Sequence, residues 1–286
     1  MTFYELSVIT NTGFPYYHLK LKNPPQGVNL YLRFFDFSTN NKSLNVDVDP
    51  ISLFELNAGL VSALYEFAKN IDKKIEIIEF SSHWELTQKE ERIKNKGDVL
   101  ITTQTETYLL HNSIKAKIKL IYETIIAPKI PLVTALEILQ NEEDKILEIL
   151  TDFKARSRVK HHKKELDQLT RSFLNEMENY GLLSILITSF DLSPIMIFGE
   201  KFNFNDIDSI LRNIDVFPEI SPLEWIYRQS FSSNNNPIWV YIIKSGVGPT
   251  IDGLFEPYFY LLITEPQTYL GEFPSKLTTK FNQVLG

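Results

Sequence analysis

The chain has 286 residues, 43% of them hydrophobic, and a formal net charge of −7. That is enough apolar residue for two domains with a core each, and the wrong sign for a protein that wraps nucleic acid. Cysteine is absent, which excludes a disulfide framework, thiolate metal sites and cysteine nucleophiles together.

Met1 to Thr10 lacks the basic start of a signal peptide, and no apolar run approaches the roughly 18 residues that a spanning helix needs. The expectation is a cytoplasmic protein. The same series of elements can be read twice, over residues 3–126 and 183–285: a strand hairpin, a helix, further strands and a closing helix.

Phe3 to Thr10 alternates and is β-rich; Asn11-Thr12-Gly13 suits a tight turn and Tyr16 to Lys22 returns. After the break Pro24-Pro25-Gln26-Gly27, Val28 to Phe37 reads as an additional aromatic strand. Ser52 and Glu55 form a capping box for a helix running to about Ile71. Leu53, Leu56, Leu60, Leu64, Phe67 and Ile71 make one apolar stripe on it. Phe54, Val61, Tyr65 and Ala68, with Ala58, make a second, so that helix needs a cover on both sides: the chain's own linker helices, a second subunit or another protein. Strands are expected over Lys74 to Phe80 and Val99 to Leu110, with Trp84 on a short strand between them. A helix over Ile114 to Ile126 ends at Pro128 and Pro131.

Residues 132–180 carry helical spacing, through Leu132, Leu136, Leu139, Ile146, Leu150 and Phe153 and then from Val159 to Tyr180, with Gly181 as the stop. This predicts a helical hairpin. Strands follow over Leu182 to Phe190 and Ile195 to Gly199, a helix starts at Asn205, and strands run over Trp225 to Phe231, Ile238 to Lys244 and Tyr258 to Thr264. Ser275 to Leu285 closes as a helix.

No cluster of residues announces a reaction. His18, His83, His111, His161 and His162 lack the spacing of a helical zinc site, and the adjacent pair should point to different sides of its helix. Gly246-Val247-Gly248-Pro249 lacks a phosphate-loop pattern and reads as a hairpin or bulge loop. Glu142, Glu143 and Asp144 fit a solvated helix face, and no G-x-S-x-G elbow is present. Neither a cofactor nor a metal is expected.

One charge run stands apart. Lys154, Arg156, Arg158, Lys160, Lys163 and Lys164 place six positive charges in eleven residues, leaving −13 for the rest of the chain by subtraction from −7. It is a solvated junction, an acidic-partner patch or a contact for anionic lipid; without interleaved aromatics it is not a nucleic-acid site.

Phe3-Tyr4-Glu5-Leu6-Ser7-Val8-Ile9, the turn Thr12-Gly13-Phe14-Pro15 and the helix from Gly59 to Ala68 resemble a longin domain. Ile187-Thr188-Ser189-Phe190-Asp191-Leu192-Ser193-Pro194 is similar to the opening of longin and roadblock domains. The resemblance is to longin proteins of archaea related to eukaryotes, and more remotely to the longin subunit of an exchange factor. It implies a five-stranded sheet sandwiched by helices, in vesicle-trafficking proteins and regulators of small GTPases.

The fold expected is therefore α+β: two longin-like units, each an antiparallel sheet flanked by helices, over residues 1–130 and 181–286, joined by a helical hairpin over 131–180. The function expected is a non-enzymatic interaction platform. Its partner would be a small Ras-like GTPase or another longin chain, including a second copy of itself, met through Phe54, Val61, Tyr65 and Ala68. The alternatives are a peripheral adaptor on an anionic membrane, using the basic run, or a small-molecule sensor with Tyr31, Phe35 and Trp84 lining a pocket.

Overall fold

A computed structural model describes residues 2–10, 14–37, 58, 59, 62–64, 66, 69, 99–130 and 137–286. Two compact units result, Met1–Ser38 with Lys96–Gly286, and Thr39–Asn95. In the second unit the described residues, 58 to 69 with gaps, are helical, in keeping with the expected Ser52 to Ile71 helix; Ala58 is exposed and Leu64 half-buried. Phe54, Val61, Tyr65 and Ala68 lie outside the described residues, as do the strand expected over Lys74 to Phe80, Trp84, Leu132 and Leu136. Everything below concerns the first unit.

The first sheet pairs β1 (Phe3–Thr10), β2 (Pro15–Lys20), β3 (Leu30–Asp36) and β4 (Val99–Glu106) in the order β2-β1-β4-β3, antiparallel throughout. The additional strand over Val28 to Phe37 thus exists, as β3. A register irregularity between Phe3 and Glu5 lets Phe3 join Leu6 and Val8 in one core. Over that core lies α1 (His111–Ile121), which continues through a wide π turn, Tyr122–Ile126, and a 3-10 turn, Ala127–Lys129. Ile114, Ile118, Ile121 and Ile125 are buried on the sheet.

The helices expected to form one hairpin are divided between two cores. Ile146, Ile149 and Leu150 of α2 (Gln140–Leu150) pack with the first sheet. Ala155 and Val159 of α3 (Phe153–His161), and Leu166, Phe173 and Met177 of α4 (Lys163–Met177), pack with the second. Asp152, between α2 and α3, is in the left-handed region at φ 54° and turns the chain from one core to the other. The helix expected from Val159 breaks at His162, so the His161 and His162 rings meet edge to face at 5.0 Å instead of pointing apart. Gly181 stops the last turn at φ 82°, where a Cβ would meet the Thr268 hydroxyl at 2.7 Å.

The second sheet is made of β5 (Leu182–Thr188), β6 (Pro194–Phe198), β7 (Trp225–Phe231), β8 (Pro237–Lys244) and β11 (Phe259–Thr264), in the order β6-β5-β11-β8-β7, again antiparallel. Both faces are covered. α3, α4 and α6 (Phe273–Leu285) bury Ile185, Ile187, Ile243 and Leu262; α5 (Phe204–Arg212) buries Leu186, Val240, Ile242 and Leu261. Burial on two faces explains why β5 and β11 read as unbroken apolar runs, LLSILIT and FYLLIT. The cap of α5 is Asn203, two residues before the expected Asn205: its side chain accepts from the amides of Asn205 and Asp206, and Asp206 returns the bond.

Between β8 and β11 a loop carries the short hairpin β9 (Thr250–Ile251) and β10 (Leu254–Phe255). Ile251 does not return to its own sheet's core. It is buried in the core of the first sheet, with Leu254 packed beside it.

Candidate functional site

Among the described residues, a series of polar contacts between residues far apart in sequence lies along the seam between the two sheets. At its centre is the turn between β5 and β6. Asp191 uses one carboxylate oxygen to accept from the Ser189 hydroxyl at 2.6 Å and the Ser193 amide at 2.9 Å, holding Leu192 at φ 75°. That turn is then tied to the first sheet's elements: Thr2 donates to the Ser193 hydroxyl at 3.0 Å, Ser113 to the Phe190 carbonyl at 2.7 Å, and the Leu110 amide to the Asp191 carbonyl at 3.2 Å.

Lys117 of α1 reaches into the middle of this seam, fully buried, and donates to Asp152 at 2.5 Å and Asp191 at 2.6 Å. The rings of Phe3 and Phe190 flank its ammonium at 5.4 and 5.3 Å. Burial opposes that charge, but Asp152, Asp191 and Glu256 outweigh it and hold the ammonium above its ordinary range. Asp191 is likewise penalised by burial, yet Lys117 and the turn's hydrogen bonds keep its carboxyl below the usual carboxylate range. Asp152 is pushed up to about 6 by burial and by Asp191, against the pull of Lys117 and Arg156. Glu256, which leads into β11, is pushed up to about 8, chiefly by burial. Among the described residues, neither Glu256 oxygen, nor the second oxygen of Asp152, has a hydrogen-bond partner.

A second polar cluster joins the sheets further along. Glu106, at the end of β4, accepts two bonds from Arg212 of α5, both at 2.8 Å, and a third from the Tyr4 hydroxyl. Tyr108 donates to Asp208 of α5 at 2.8 Å. Burial and these carboxylates raise both tyrosines above their ordinary range.

What this arrangement can do chemically is limited by access. Lys117, Asp152, Asp191 and Glu256 are each at most 1% exposed, so a substrate has no route to them. Among the described residues no group of three or more His, Asp or Glu side chains is placed to hold a metal. The seam makes one body of two sheets, and surface chemistry has to be sought elsewhere.

A cluster of exposed aromatic side chains is at the end of the second sheet. β7 is an edge strand, and Trp225, Tyr227 and Phe231 alternate along it at 37%, 47% and 46% exposure. Tyr227 stacks on Trp239 of β8 at 4.8 Å and 15°, and Trp225 and Tyr227 both lean on Tyr241. Exposed aromatic side chains thus stand beside a sheet edge that pairs with no further described strand.

The basic run is spread over several tasks. Arg156 faces the seam, donating to the Ser193 hydroxyl and to the carbonyls of Pro194 and Thr151, each at 2.8 Å. Lys154 pairs with Glu148 at 3.7 Å and Arg158 donates to the Gly286 carbonyl. Lys160, Lys163 and Lys164 are exposed. Of the residues considered for a pocket, Phe35 stacks on His111 at 5.9 Å and Tyr31 lies exposed beside the Arg33 guanidinium. The acidic trio is more than a solvated face: Glu142 caps α2 and pairs with Lys129, and Glu143 accepts from Tyr17.

Lys117, Asp152, Glu256, Glu106 and Arg212 escaped the sequence reading. One signal was available: Lys117 follows Ile114 by three and precedes Ile121 by four, inside the apolar stripe of its helix. The chain matches no protein-family model, no curated protein and no solved structure. No described helix is long and apolar enough to cross a membrane.

Proposed function

We propose that this chain is a non-enzymatic interaction platform of the longin type, whose partner is a small Ras-like GTPase or a second longin chain. The observation that carries the reading is β7, an edge strand with three aromatic side chains exposed along it. An unpaired edge accepts a partner's strand through main-chain hydrogen bonds, and aromatic side chains beside it supply buried area at low entropic cost. The antiparallel five-stranded sheet with helices on both faces supports the longin resemblance for residues 181–286. The sealed seam supports a structural use of the buried charges rather than catalysis.

The test is a titration of the purified chain with Ras-like GTPases, emptied of nucleotide or loaded with GDP or a GTP analogue, while light scattering reports self-association. A complex or a dimer that is lost in Tyr227→Glu at unchanged thermal stability is the expected result. A monomer that binds none of them, or full binding by Tyr227→Glu, overturns the reading.

A further inference from the structure

We propose that Glu256 is a proton-operated latch: uncharged, it seats the β9–β10 loop in the core of the first sheet, and loss of its proton releases that loop. Three observations converge on it. The carboxyl is 1% exposed and neither of its oxygens has a partner among the described residues, a state tolerable for a neutral acid and costly for a carboxylate. The groups facing it are Lys117 from α1, Asp152 from the α2–α3 junction, Lys154 from α3, Asp191 from the β5–β6 turn and Tyr258 from its own segment between β10 and β11. The one buried cation among them, Lys117, is already shared between Asp152 and Asp191, and Lys154 is half in water and paired with Glu148, so a third carboxylate would have no buried counter-charge of its own. The ion pairs nearby, Lys154 with Glu148 at 3.7 Å and Lys145 with Asp252 at 2.5 Å, lie on other carboxylates.

The loop has to move with Glu256. At its root the Glu256 amide donates to the Pro249 carbonyl at 2.9 Å and the Tyr258 amide to the Val247 carbonyl at 3.1 Å. Gly248 is pressed so closely on the opposite strand that a Cβ there would run into the Glu256 carbonyl and stand 2.8 Å from the Pro257 Cα. A side chain anchored in so tight a crossing cannot reach water alone. Ionisation therefore acts on the loop that carries Ile251, 2% exposed within the other sheet's core. The burial that makes Glu256 hold its proton, up to about pH 8, links opening to proton release.

The absence of cysteine makes the test direct. Ile251→Cys places a thiol whose modification requires the loop to open, and Thr279→Cys, on an exposed position of α6, corrects for thiol ionisation. The corrected rate is expected to rise with pH by up to about tenfold per unit between about pH 5.5 and 7.5, as linkage to one proton requires. In the Glu256→Gln background it is expected to be slow and flat. A rate independent of pH in the parent, or a rise that persists in Glu256→Gln, overturns the latch. Infrared spectra of the unaltered chain supply an independent check: a protonated-carboxyl band is expected at about pH 7, where free glutamates are ionised, and its absence overturns the proposal.

Discussion

The two polar clusters along the seam solve the same problem in opposite ways. Around Glu106 every strong acceptor is occupied: two bonds from Arg212 and one from Tyr4 satisfy the carboxylate, and Arg212 remains a quarter exposed. Around Lys117 one cation serves two aspartates, a third acid stands by, and three carboxylate oxygens have no partner among the described residues. The first cluster is a fastener with its acid matched by its base. The second carries more acid than base in a site closed to water, and so its state depends on protons. A bidentate arginine matches a carboxylate without residue, whereas a lysine is a point charge to be divided.

Breaking the second cluster should do the greatest harm. Lys117→Met leaves Asp191 and Asp152 buried without a cation, and denaturant unfolding should show a loss of about 3–5 kcal/mol. The dependence on pH follows next. Glu256 and Asp152 are acids whose folded values are raised, so the stability each contributes is full below its ordinary value and is lost as pH rises through about 8 and about 6 respectively. Asp191 is depressed, so its contribution is lost as pH falls below the ordinary aspartate range. Thermal melts should therefore show stability falling between about pH 5 and 8, on the order of 3 kcal/mol, with the fall reduced in Glu256→Gln.

Ile251→Ala should cost about 2–3 kcal/mol although the residue belongs to a loop, because the cavity opens in the other sheet's core. Arg212→Ala sharpens the contrast between the clusters: with Glu106 2% exposed but Arg212 partly in water, about 2 kcal/mol is expected, with little change in the pH profile above about pH 6. Smallest of all, Tyr227→Glu on the exposed strand should alter stability by about 0.5 kcal/mol or less, while removing partner binding.

Much of the architecture is legible in the residues. The Phe3 hairpin, the aromatic strand that became β3, the helix through Ile114 and Ile118, the stop at Gly181 and the strands of the second sheet all follow from periodicity and turn chemistry. These are local signals, set by which side chains recur on one face within a few residues. His162 and Asn203 show the resolution of that reading, since a helix break or a cap shifts by a residue or two without disturbing the pattern.

The seam is of another kind. Thr2 with Ser193, Glu106 with Arg212, and Lys117 with Asp152 and Asp191 are separated by 191, 106, 35 and 74 positions. A charged residue looks alike in sequence whether it ends in water or beneath two sheets; Arg156 and Lys160 stand four apart in the same basic run and differ in this way. By itself the sequence determined an acidic, cysteine-free α+β chain and the order of its elements, because those depend on composition and short-range spacing. Only the tertiary structure decided that the linker helices serve two cores, that Ile251 crosses from one to the other and that four ionisable groups share one closed site. Such partnerships depend on how distant segments pack, and burial then sets what each charge costs and whether it keeps its proton.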